Sequence, residues 1–163
     1  MVAQEVQDLG DAPARENTPS ELDDLTHAEM CMLYRESADS IRFAKAHQWK
    51  SLGAILLVFA GMIALSRLAS PDNAMLTNLV IAISFLCSSA VIYMLVLYQV
   101  WQNTEREKLR DIASHFSSFS QFTRAIKSSR EANVHRYTLL VFMIGAILIA
   151  NMMLVLTVSP LYR

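Results

Sequence analysis

Apolar residues along this chain gather into three long runs separated by polar stretches. The first, SLGAILLVFAGMIALSRLA from Ser51 to Ala69, is broken near its end only by Arg67. The second, from Leu76 to Val100, and the third, from Tyr137 to Ser159, contain no charged residue. Runs of about 18 or more apolar residues, at about 1.5 Å rise each, cross a hydrocarbon core of roughly 30 Å. Arg67 fits such a span because its long stem carries the guanidinium out to the headgroups. The pattern therefore predicts transmembrane helices over 51–69, 76–100 and 137–159. The alternative, buried core helices of a soluble protein, fails because too few polar residues remain to surround three helices apolar on every side.

The polar stretches have patterns of their own. Residues 1–20 hold Gly10, Pro13 and Pro19 and few large apolar groups, so they cannot bury enough surface to offset ordering, and they read as a disordered acidic tail. From Ser20 the segments SELD and THAE each offer a capping residue with an acid three positions on, and neither Gly nor Pro follows until Gly53. A helix over 21–50 is expected to lead straight into the first span. Along it Met30, Leu33, Ser37, Ile41, Ala44 and Gln48 form a weakly apolar seam. Residues 101–136 also lack Gly and Pro, and Leu109, Ile112, Phe116, Phe119 and Ile126 follow coiled-coil-like heptad spacing. Because the third span re-enters from the same side, this segment is expected to form a helical hairpin bent near Ser114 to Phe122. A competing reading lays part of 109–126 along the membrane surface as an interfacial helix. The fold class expected is an all-α membrane protein, three transmembrane helices with cytoplasmic helical extensions.

Charge adds orientation. Of 15 acidic residues, ten lie in the first 39 positions, which argues against nucleic acid as a partner for that tail. Arg35, Arg42, Lys45 and Lys50 precede the first span, and seven Lys or Arg residues lie between the second and third; the other side has only Arg67 and Arg163. Positive residues are retained in the cytoplasm, so the N-terminus and 101–136 are assigned there, with the SPDN connection and the C-terminus outside. Trp49, Tyr98, Trp101 and Tyr137 fall at the same three span ends, where amphipathic rings favour the headgroup zone. No secretory signal is evident, so the first span is expected to act as an uncleaved anchor in a multi-pass plasma membrane protein, in the inner membrane if the source is bacterial.

Candidate chemistry is sparse. His27 and Cys31, four apart, have usable metal-ligand spacing on a helix, but a structural zinc site wants four ligands and no second pair has motif spacing. The expectation is no metal and no cofactor. Cys31 and Cys87 differ too much in depth to bridge and read as free thiols. His47 and His135 both lie just before a span, where they either approach one another as a pH-sensitive pair or simply occupy the interface. Within the spans there is no mid-depth ionisable residue of the sort that marks carriers and pumps. Asn151, in the third span, is expected to bond across helices, within or between protomers. The pairs Ser84/Ser88, Ala60/Ala64 and Ala146/Ala150 have the small-x-x-x-small spacing that lets backbones approach.

The layout of residues 21–136, with cytoplasmic helices flanking a two-span hairpin, resembles small bacterial effector-type membrane modules such as the SLATT-type domains. The third span departs from that two-span plan, and no residue roles are carried over. No hydrolase elbow, phosphate loop or zinc-protease helix occurs, so neither an enzyme nor a small-molecule substrate is expected. The reading is a small polytopic membrane protein acting through helix–helix association, as a homo-oligomer or with a membrane-protein partner. Leu109, Ile112, Phe116 and Phe119 are the candidate cytoplasmic contacts, with Asn151 as the membrane contact. The alternative is a pore-forming effector in which several copies line a channel with Ser84, Ser88 and Asn151.

Overall fold

The computed structural model describes residues 19, 20, 22–68, 74–118 and 129–159. Three helices account for nearly all of them: α1, Asp24–Leu68; α2, Ala74–Ser114; and α3, Ser129–Val158. All three are long and apolar enough to cross a membrane. The 45 residues of α1 rise roughly 68 Å, more than twice a hydrocarbon core, so a large part of this helix extends beyond any span it makes.

The start of α1 follows from its first side chains. The Asp23 carboxylate accepts the Thr26 backbone N–H at 3.3 Å, and His27 N–H bonds to the Asp23 carbonyl at 2.9 Å. Asp23 is thus the N-cap, rather than the Ser20 or Thr26 that the capping patterns single out. A carboxylate satisfies the orphan amides and also meets the positive end of the helix dipole, whereas Thr26 already lies inside the first turn. Hydrogen bonds from Thr26 hold the Asp23 carboxyl below its usual range. Beyond this point nothing breaks the helix before Leu68.

Helices α1 and α2 are antiparallel along their whole contact. His27 meets Phe116, Phe43 meets Trp101, and His47 meets Tyr98, in opposite chain order. The connection, 69–73, with its SPDN turn, lies outside the described residues. Side chains at three- and four-residue steps make the buried stripe of α1: Ala44, Gln48, Leu52, Ile55 and Phe59, with Ser37 one heptad earlier. Leu33, expected in that seam, is exposed, while Met30 and Ile41 are half-buried. Leu95 of α2 and Met143, Ile147, Leu154 and Val158 of α3 complete the core.

The α2 helix ends where polar side chains compete for its last carbonyls. Ser114 Oγ donates to Asp111 O at 2.6 Å, and His115 and Phe116 N–H bond to Ile112 and Ala113 O in a tightened turn. That end falls within the stretch expected to bend. The following residues, 119–128, lie outside the described residues, and with them Phe119 and Ile126; α3 is under way from Ser129.

The outer surface is the reverse of a soluble bundle's. Leu57 is 75% exposed, Phe142 72% and Leu86 71%, and the exposed apolar residues run around all three helices. In a lipid setting, removing one of these changes little, whereas a core truncation loses packing contacts on every side. Leu95→Ala should therefore destabilise the bundle by about 2 kcal/mol, and Leu57→Ala by no more than about 0.5 kcal/mol. Thermal unfolding in detergent, followed by tryptophan fluorescence, separates the two; equal effects would mean that Leu95 is not a core residue.

Candidate functional site

The residues singled out as contacts fall at two levels of the bundle. On α2, Leu109 and Ile112 are half-buried beside buried Ala113. Phe116 turns back onto α1, its ring centroid 5.6 Å from His27 at an edge-on angle and 6.3 Å from Tyr34. These three side chains therefore help to pack the chain's own helices. Asn151 is only 4% exposed, on the same stripe of α3 as buried Ile147 and Leu154, and Ser84 and Ser88 are buried on α2. The serine hydroxyls donate within α2, to Ile81 O and Ser84 O, and Asn151 Oδ1 has no hydrogen-bond partner. Of the small pairs, Ser84/Ser88 faces the interior, Ala146/Ala150 is half-buried and Ala60/Ala64 faces outward.

Between these levels lies a polar layer that the sequence reading did not identify. Buried Gln48 of α1 donates from Nε2 to the Leu95 carbonyl of α2 at 3.1 Å, and its Oε1 accepts from Gln102 Nε2 at 2.9 Å. One amide thus ties α1 to α2 twice. On the α3 side, Asn103 donates to the Tyr137 hydroxyl at 3.0 Å, and its Oδ1 accepts from Gln99 at 3.4 Å and Arg136 at 3.5 Å. One turn further along α2, buried Glu105 pairs with Lys108 at 2.8 Å. Hydrogen bonds from Lys108, Ser37 and Trp101 outweigh its desolvation and hold its carboxyl below the usual glutamate range. The available signal was the spacing of Gln99, Gln102 and Glu105, which continue the buried stripe of Leu95, beside aromatic residues expected at an interface.

An aromatic cluster covers one edge of this layer. Phe43 packs on His47 at 4.0 Å and on Trp101 at 6.2 Å, and Tyr98 stacks on Trp101 at 6.4 Å. His47 Nδ1 lies 3.1 Å from the Phe43 carbonyl, which requires the proton on that nitrogen. Its ring contacts are thus with α1 and α2, while His135 is exposed on α3. Near the start of α1, Cys31 Sγ lies 3.7 Å from His27 Nε2, and both residues are exposed. Among the described residues no group of three or more His, Cys, Asp or Glu is placed to hold a metal ion.

One cation in the layer is incompletely satisfied. Arg106, half-buried and one turn beyond Gln102 and Asn103, has its Nη1 buried without a hydrogen-bond partner. Desolvation lowers the pKa of the half-buried Arg136 guanidinium from its usual value.

With this geometry in view, comparison with protein-family models, curated proteins and solved structures yields no match to the chain. The resemblance in layout to SLATT-type modules has no matching family model behind it.

Two measurements probe the layer. In a double-mutant cycle of Gln48→Leu and Gln102→Leu, the coupling should be about 1 kcal/mol in thermal or denaturant unfolding, because either single change strands a buried amide. Additive effects would mean the bond contributes nothing. Glu105 supplies a pH test. Its folded pKa is depressed, so its contribution is present above the unfolded value, about 4.3, and is lost as pH falls through the folded one. Stability should drop on acidification below about pH 4, and Glu105→Gln should flatten that drop; identical acid profiles would remove Glu105 from the account.

Proposed function

We propose that the chain is a three-span integral membrane protein without catalytic activity, which works by associating with other membrane helices. In this reading α1 enters from the cytoplasm, the α2 and α3 extensions lie on that same side, and the C-terminus lies outside. The observation that carries it is the distribution of apolar surface. Large side chains face outward around every helix, as at Leu57, Leu86 and Phe142, while the polar side chains close the interior or cluster at one end. Such a surface needs lipid or other helices around it.

Association is supported by the outer face of α1. Gly53, Ala60, Gly61 and Ala64 are exposed there, and small residues let a second helix approach closely without a hydrophobic driving force. Asn151 is less suited to joining protomers, because it is enclosed by its own bundle. The same enclosure disfavours the alternative of a pore lined by Ser84, Ser88 and Asn151, since a shared lumen would require each bundle to open. Leu109, Ile112 and Phe116 act in this reading by stiffening the extensions.

Topology and association are tested separately. A periplasm-active reporter fused after Arg163 should give signal and a cytoplasm-active one should not; the opposite pattern would invert the orientation. Ala60→Leu should weaken association measured by crosslinking or light scattering in mild detergent, whereas Asn151→Leu should leave oligomer size unchanged. Unchanged size in Ala60→Leu would rule out the outer face of α1, and reproducible ion flux from purified protein in liposomes would favour the pore.

A further inference from the structure

A guanidinium cannot shed its charge in a protein, so a buried guanidinium nitrogen without an acceptor is costly unless a ligand satisfies it. Arg106 is in that position. The acceptors of the layer already carry donors other than Arg106: Asn103 Oδ1 takes Gln99 and Arg136, Gln48 Oε1 takes Gln102, and Glu105 takes Lys108. Neither ion pair among the described residues involves Arg106. A second guanidinium, Arg136, stands on the facing helix and is held by Asn103, three residues before Arg106 on α2. Arg136 is thus anchored to α2 one helical turn from Arg106.

Depth narrows the ligand. If the spans are membrane-inserted, as proposed above, Trp101 and Tyr137 mark the edge of the hydrocarbon. Arg106 then begins five residues, about 7.5 Å, beyond Trp101, and Arg136 lies one residue outside Tyr137. The headgroup layer occupies about 5–7.5 Å on each side of the core, and the Arg106 side chain tilts toward the start of α2 and so back toward the span, which brings both guanidiniums to the level of lipid phosphates. Arginine forks match phosphate oxygens, and basic clefts between helices at this level recruit acidic headgroups.

We propose that Arg106, one helical turn from Asn103 on α2, and Arg136, bonded to Asn103 from α3, form a phosphate site occupied by the headgroup of an anionic phospholipid. The inference rests on membrane insertion, and its test keeps the two apart. Full-length protein that resists carbonate extraction from membranes is inserted; extraction would remove the parent reading. Inserted protein, purified in mild detergent, is then titrated with phosphatidylglycerol, phosphatidylcholine or inorganic phosphate while thermal unfolding is recorded.

Phosphatidylglycerol should raise the midpoint, with phosphatidylcholine and millimolar phosphate giving little. Arg106→Gln should weaken the phosphatidylglycerol response about tenfold or more, the loss of a charge-assisted hydrogen bond, and Arg35→Gln, exposed on α1, should preserve it. If Arg106→Gln does not fold, Arg136→Gln must show the weakened response. Equal responses to the two lipids, or an undiminished response in the folded arginine variants, would overturn the site. A response to inorganic phosphate that matches that to phosphatidylglycerol and is lost in Arg106→Gln would overturn the lipid as its source.

Discussion

The paired hydrogen bonds of Gln48 are the constraint from which the arrangement of α1 and α2 follows. Apolar packing alone leaves two long helices free to slide, because leucine and isoleucine accept many registers and in lipid no hydrophobic gain selects among them. A buried glutamine is less tolerant. Its donor reaches the Leu95 carbonyl and its acceptor the Gln102 amide, and a shift of one turn would break both bonds and strand both groups. With this point fixed, Leu52, Ile55 and Phe59 on one side and Phe43, Ser37 and Tyr34 on the other are carried to their partners by helical rise alone.

The same layer separates two kinds of packing. On its apolar side the core is made of Phe59, Leu95 and Ile147, and the outside is equally greasy, so cohesion comes from fit. On its polar side, toward Ala113 and Phe116, the helices carry charged outer faces, and burying an apolar stripe is worth what it is in water. Gln48, Gln99, Gln102, Asn103 and Glu105 occupy the crossover. In the proposed insertion, polar groups are least expensive to bury there, because aromatic neighbours and headgroups would soften the change of medium.

Helix number, and the continuity of α1 from its polar start into the apolar run, were legible because long apolar runs and the absence of Gly and Pro are local properties. The polar layer was not, since a glutamine written among leucines looks the same whether it faces a partner or headgroups. Deciding which required the register between α1 and α2, which is a property of the pair. Asn151 shows the same limit from the other direction. The sequence marked it as an unusual polar group, but whether it faces its own bundle or another depends on the rotation of α3, and that helix is apolar on nearly every face. Leu33 fell outside the expected seam for a related reason: a weak stripe does not specify which of its neighbouring residues turns inward.

Arg106 and Asn151 each have one buried, unsatisfied polar atom, yet they call for different explanations. Asn151 Oδ1 is neutral, and one small donor would satisfy it, so a single water would suffice. Arg106 carries a full charge that no water neutralises, in a layer whose acceptors already carry other donors. A neutral orphan can therefore be a detail of packing, while under the proposed insertion a charged one at headgroup depth calls for a counterion. In that proposal the basic surplus at this end of the chain has two roles. Most of it would orient the helices across the membrane, and Arg106 with Arg136 would select which lipid stands beside them.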